Sequence, residues 1–256
     1  MNKFYKITSA LTIFSALFLT SCIKDTEPAN LSLNVEAVWN GQPVSLGDTV
    51  NYANDIPLRI DKFKAYVSDI SLRTPNGDWI NSESIDLLDF MPSSDVATAE
   101  FLYPLLKDQT TFSAIKFGLG VPSEINLMQD PPTQFSNEHP LGFAGSAGMY
   151  WTWASGYIFS KYEGKIEDEN GDLLIPLALH AGTDTLFREV VLEFDSSITI
   201  THNHSYDFNL ELDLARVLFS EADTLSHEEN LVSHTMNDFE IARRYVNLLD
   251  DAWSLK

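Results

Sequence analysis

Gly148-Met149-Tyr150-Trp151-Thr152-Trp153-Ala154-Ser155-Gly156-Tyr157-Ile158-Phe159 sets two of the chain's five tryptophans two residues apart in a run of aromatic, strand-favouring side chains. A strand alternates its side chains with a period of two, so both indoles fall on one face. Met149, Trp151, Trp153, Tyr157 and Phe159 share that face, and Tyr150, Thr152, Ala154, Ile158 and Ser160 the other. With both faces largely apolar, the stretch reads as an interior strand.

Strand patterns continue on either side. Leu31, Leu33, Val35, Ala37 and Trp39 alternate with polar residues until Asn40-Gly41, a hairpin signal. Leu58 to Arg73 reads as one or two strands, with Tyr66, Ser68, Ile70 and Leu72 on one face. Tyr206, Phe208, Leu210 and Leu212 alternate with Asp207, Asn209, Glu211 and Asp213, the pattern of a sheet with one wet face. Asp168-x-Asn170-x-Asp172 is not an EF-hand, because Leu173 and Leu179 stand where Gly and Glu are needed; it reads as the turn of a hairpin. The segment from Pro122 to Gly148, rich in Pro, Asn, Gly and Ser, reads as a long loop. One helix is predicted near the end, capped by Asn237 with Glu240 three residues on. The expected fold is all-β, an antiparallel β-sandwich with long loops and a short C-terminal helix.

The formal net charge of −21 excludes nucleic acid as a partner, since phosphate binding needs clustered Lys and Arg. Lys3 and Lys6 precede an apolar run from Ile7 to Phe18, and Leu19-Thr20-Ser21-Cys22 has the form of a lipobox. Cys22 is the sole cysteine and the expected lipidation site, which anchors the chain to a membrane without spanning it. The domain reading is a lipoprotein signal peptide over 1–21, a lipid-tethered linker over 22–30 and a β-sandwich domain over 31–256. The expected location is the outer membrane, periplasm-facing or at the cell surface. Catalysis is not expected: G-x-S-x-G and H-E-x-x-H are both missing from the sequence.

The order His139-Pro140-Leu141, Met149-Tyr150-Trp151-x-Trp153, Gly156-Tyr157-x-Phe159, Glu163-Gly164 and His180-x-Gly182 resembles the MbnP-like family of methanobactin-associated copper-binding proteins. Trp39-Asn40-Gly41 and Lys62-Phe63-Lys64-Ala65-Tyr66-Val67-Ser68 extend the resemblance to the first strands. It implies a copper-binding protein of the cell envelope with a role in copper acquisition or handling. A tryptophan of the Trp-x-Trp motif, Trp151 or Trp153, would be oxidised to kynurenine by a di-haem MauG-like partner enzyme. Its new amine nitrogen would then stand beside histidines. The candidate metal residues are His180, His139, Trp151, Trp153 and Met149; imidazole suits copper and thioether sulfur favours Cu(I). His202-x-His204 reads as much like a turn as a ligand pair, and His227 and His234 read as exposed loop histidines with Met236 close behind. The alternative is a surface lipoprotein that binds a glycan, peptide or protein partner through loops, without metal.

Overall fold

Alternation writes the first sheet directly. Leu31, Leu33, Val35 and Ala37 of strand β1 (Ala29–Trp39) are buried, as are Phe208, Leu210 and Leu212 of β14 (Ser205–Asp213). The two strands run parallel with Leu33 opposite Phe208 and Val35 opposite Leu210, so their apolar faces coincide. β2 (Gln42–Pro43), β7 (Val96–Tyr103) and β16 (Trp253–Leu255) complete this five-stranded sheet. The computed structural model describes residues 27–256 except 53–54, 93, 106–108, 147, 152–155 and 222. The expected signal peptide and lipidation site, Cys22, therefore lie outside the described residues.

The second sheet has nine strands, ordered β13-β8-β4-β11-β12-β15, with β3, β5 and β6 also paired to β4. They are β3 (Thr49–Tyr52), β4 (Ile56–Arg73), β5 (Trp79–Asn81), β6 (Ile85–Asp89), β8 (Gln109–Leu119), β11 (Ser160–Glu167), β12 (Leu173–Ala181), β13 (Arg188–Thr201) and β15 (Val232–His234). Both sheets face one hydrophobic core, in which Phe63 meets Phe90 and Tyr162 edge-on with centroids 5.8 Å away in each case. Most ladders are antiparallel, but β1–β14 and β12–β15 are parallel, so both sheets are mixed. The all-β sandwich is present; α1 (Ser123–Asn126) is a single turn, and the one longer helix among the described residues, α2 (Phe239–Asp250), comes late. No helix among the described residues is long and apolar enough to cross a membrane.

β4 departs from simple alternation. Phe63, Ala65 and Val67 face the main core, and so do Ile70 and Leu72. The change of parity comes from a bulge between Ser68 and Ser71, where Asp69 takes φ 52°. Tyr66 therefore does not share a face with Ile70 and Leu72; it points to the outer side of the sheet, into a second apolar cluster.

Met149, Trp151, Tyr157, Ile158 and Phe159, from the described part of the Trp-x-Trp stretch, lie in that second cluster. The expected continuous strand is instead a short antiparallel pair, β9 (Tyr150–Trp151) and β10 (Gly156–Tyr157), with Tyr157 opposite Tyr150 and Gly156 opposite Trp151. β10 runs antiparallel along β9, and the Ile158 N–H donates to the Met149 carbonyl at 2.8 Å. The long loop before it packs on the outer face of the sheet through Leu141, and the residues flanking the pair do so through Met149 and Phe159. Two buried phenols pin it: Tyr66 donates to the Pro140 carbonyl at 2.8 Å and Tyr157 to the Leu141 carbonyl at 2.6 Å. Each bond is worth about 1 kcal/mol net, and burial, with a second tyrosine beside each, pushes both phenol pKa values up. Gly120, at φ 127°, lets Phe159 lie against the backbone, since a Cβ there would meet the ring at 2.5 Å.

α2 is capped by Asp238, whose carboxylate accepts from the Ile241 N–H at 3.2 Å, and not by Asn237. Asn237 is committed elsewhere: its side-chain oxygen accepts from the His234 N–H at 2.6 Å.

Candidate metal centre

On the outer face of the second sheet, β11 and β12 pair so that Lys161 stands opposite His180 and Glu163 opposite Ala178. Period two puts Lys161 and Glu163 on one face of β11, with Glu163 diagonal to His180. The His180 Nε2 and a Glu163 oxygen are 2.8 Å apart. On the other side of β12, the parallel strand β15 places His234 level with His180. Their Nδ1 atoms lie 2.9 Å apart, with ring centroids at 4.6 Å.

The proton positions follow from the partners. Glu163 also accepts from the Lys62 ammonium at 3.0 Å, and its contacts with His180 and Lys62 hold its pKa at about 2, so it is an ionised acceptor at neutral pH. Burial lowers the His180 pKa by more than Glu163 raises it, favouring the neutral ring. A neutral His180 facing a carboxylate through Nε2 carries its proton there, which leaves Nδ1 with a lone pair. That lone pair faces His234, whose Nδ1–H supplies the complementary donor. A carboxylate behind one ring nitrogen, with the other nitrogen presented outward, is the arrangement that orients metal-binding histidines.

His180, His234, Lys161, Tyr150, Trp151 and Met236 line one cavity of about 690 Å³. Trp151 reaches it because residue 182 is glycine: a Cβ there would lie 2.9 Å from the indole Cζ3 and 2.2 Å from the Tyr157 carbonyl oxygen. The aromatic hairpin thus packs on the backbone two residues beyond His180. Lys161, almost wholly buried, donates to the Gly148 carbonyl at 2.6 Å and ties the start of the hairpin to β11. Burial, with Lys62 and Lys64 nearby, lowers its pKa, while Glu163 opposes that shift.

Among the described residues no group of three or more His, Cys, Asp or Glu side chains is placed to hold an ion. For any metal held here the two imidazoles would be the main donors, and a further donor would have to come from another residue type. The Met236 thioether borders the same cavity. Imidazole with thioether suits Cu(I) and is poor for hard cations such as calcium or magnesium.

The candidates read from sequence are dispersed. His180 and Trp151 meet at the cavity. Met149 is fully buried in the second apolar cluster. His139 lies in the long loop, stacked on Phe135 at 4.6 Å, and its Nδ1 accepts from the Leu141 N–H. Neither borders the cavity. Trp153 lies outside the described residues. His202 and His204 sit in the β13–β14 turn with their Nδ1 atoms against the carbonyls of Glu27 and His202. His234 and Met236, read as loop residues, are brought to His180 by the β12–β15 ladder. The one sequence signal for them was a histidine and a methionine two residues apart.

The family model of MbnP matches residues 28–237, most of the chain. The chain belongs to the MbnP family. That family is associated with methanobactin and copper, and membership suggests a methanobactin-associated protein. The MbnP match takes in Trp151, His180, His234 and Met236 and stops just before α2. Among solved structures, MbnP from Methylosinus trichosporium is similar at 16% identity, covering 73% of this chain and 76% of that one with a TM-score of 0.47. No curated protein matches the chain.

Proposed function

We propose that the cavity between His180 and His234 binds copper as Cu(I), in a cell-envelope protein with a role in copper acquisition or handling. The observation that carries this reading is the imidazole pair, with Nδ1 atoms 2.9 Å apart and Glu163 behind His180. The Nδ1 atoms of His180 and His234 would be the nitrogen donors, with His234 shifting its proton to Nε2 to free its own lone pair. Met236 would add a soft sulfur.

Trp151, at the cavity wall, is the residue we assign to kynurenine formation by a di-haem MauG-like partner. An indole N–H only donates a hydrogen bond, whereas the amine of kynurenine carries a lone pair. Lipidation of Cys22 would hold the domain at the outer membrane. The protein would then bind and present the metal without itself catalysing a reaction.

Anaerobic titration of the mature chain with Cu(I), against a chromophoric chelator, tests the reading. One equivalent is expected to bind, and His180→Ala and His234→Ala should each lose it. Intact binding in both variants refutes the site. Peptide mass analysis of protein from its native host tests the modification: Trp151 unoxidised in copper-loaded protein refutes that part alone.

A further inference from the structure

Thr235 follows His234 and carries φ 63°, a backbone conformation that β-branched residues rarely adopt. The Met236 N–H donates to the His234 carbonyl at 2.7 Å, closing a three-residue turn with Thr235 at its centre. Such geometry persists only where the surroundings hold it. Here the fully buried Thr235 hydroxyl donates to the His180 carbonyl at 2.8 Å and accepts from the Gly182 N–H at 3.0 Å. The Thr235 N–H donates to the Ser233 hydroxyl at 3.2 Å, and that hydroxyl donates to the Asp238 carbonyl at 2.8 Å.

Had β15 continued as a parallel strand, the next rungs of its ladder with β12 would join the Thr235 N–H to the His180 carbonyl and the Gly182 N–H to the Thr235 carbonyl. The hydroxyl makes both bonds instead, as donor in one and acceptor in the other. The main chain is thereby released to turn at the rung where His234 stands opposite His180.

We propose that Thr235 is the positioning residue of the imidazole pair: its hydroxyl, standing in for a peptide group, ends the β12–β15 ladder at the His180–His234 rung and turns the chain so that Met236 borders the cavity. The inference rests on the copper reading for its consequence in binding, but the placement of the two rings can be measured without metal.

The experiment uses the mature chain carrying Thr235→Ser, Thr235→Val or Thr235→Gly. Glycine accepts the positive φ, so that variant separates loss of the hydroxyl from failure to fold. Imidazole nitrogen NMR of the metal-free protein reports the tautomers of His180 and His234, and competition with bicinchoninate reports Cu(I) affinity. Serine is expected to match the wild type in both. Valine and glycine should lose the distinct Nδ1 and Nε2 signals of the paired rings and weaken Cu(I) binding by about tenfold or more. Wild-type imidazole spectra in the glycine variant overturn the proposal, even if its melting temperature falls. If the wild type binds no Cu(I), the copper reading fails and the spectra alone decide the role of Thr235.

Discussion

Replacing Gly182 by alanine tests the packing that brings the aromatic hairpin to His180. The added Cβ would stand 2.2 Å from the Tyr157 carbonyl oxygen, 2.9 Å from the Trp151 Cζ3 and 3.0 Å from the Ile158 Cα. An ordinary carbon–oxygen contact is about 3.3 Å or more, so backbone has to move by about 1 Å. No flexible side-chain end is there to give way: two of the three atoms are main chain, and the third belongs to a rigid ring. The movement also strains the Phe159 N–H bond to the Ala181 carbonyl, 2.6 Å long in the native fold. Overpacking of this kind costs about 1–3 kcal/mol. In a chain of this size each kcal/mol lowers the melting temperature by roughly 2–4 °C. Because Trp151 is carried away from the cavity, Cu(I) affinity should fall by about tenfold, equivalent to about 1.4 kcal/mol. Calorimetry and chelator competition on the same preparations measure both effects. A Gly182→Ala protein that melts with the wild type and binds Cu(I) as tightly would refute the close approach.

Glu163→Gln should leave the fold intact while removing the charge that orients His180, weakening Cu(I) binding by about 10–100-fold. The same carboxylate makes acid stability diagnostic. Its folded pKa is depressed from 4.5 to about 2, so its contribution is present above the unfolded value and is lost as pH falls through that window. Melting temperatures recorded across this range should drop more steeply for wild type than for Glu163→Gln, and parallel curves would contradict the assignment. At α2, Asp238→Ala should cost about 0.5–2 kcal/mol through loss of the cap. Asn237→Ala should leave the helix unaffected and show instead in faster exchange of the His234 amide; a larger stability loss at Asn237 than at Asp238 would reverse the capping assignment.

The sandwich was legible where local pattern and burial agree. In β14, every second side chain from Phe208 to Leu212 is apolar and buried, and the Asn170-Gly171 hairpin turn stands where its chemistry placed it. It was not legible at β4, because a single unpaired residue at Asp69 exchanges the faces of everything beyond it and leaves no mark in composition. The Trp-x-Trp stretch misled for a related reason: alternation describes a strand but does not say where the strand folds back. At the site, His180 and Trp151 could be singled out by motif, whereas His234 could not. Its partnership with His180 depends on the register of a three-residue parallel strand more than 50 residues away in sequence, and register is a tertiary property.

The two faces of β4 serve different tenants. Phe63, Ala65 and Val67 belong to the main interior, while Tyr66 between them holds down the loop beside the His180–His234 cavity. Any loosening of that cover must therefore pull on the same backbone that seals the sandwich. Opening the cavity wide enough to admit a large ligand would register deep inside the domain, as a common rhythm of amide exchange along both edges of one strand.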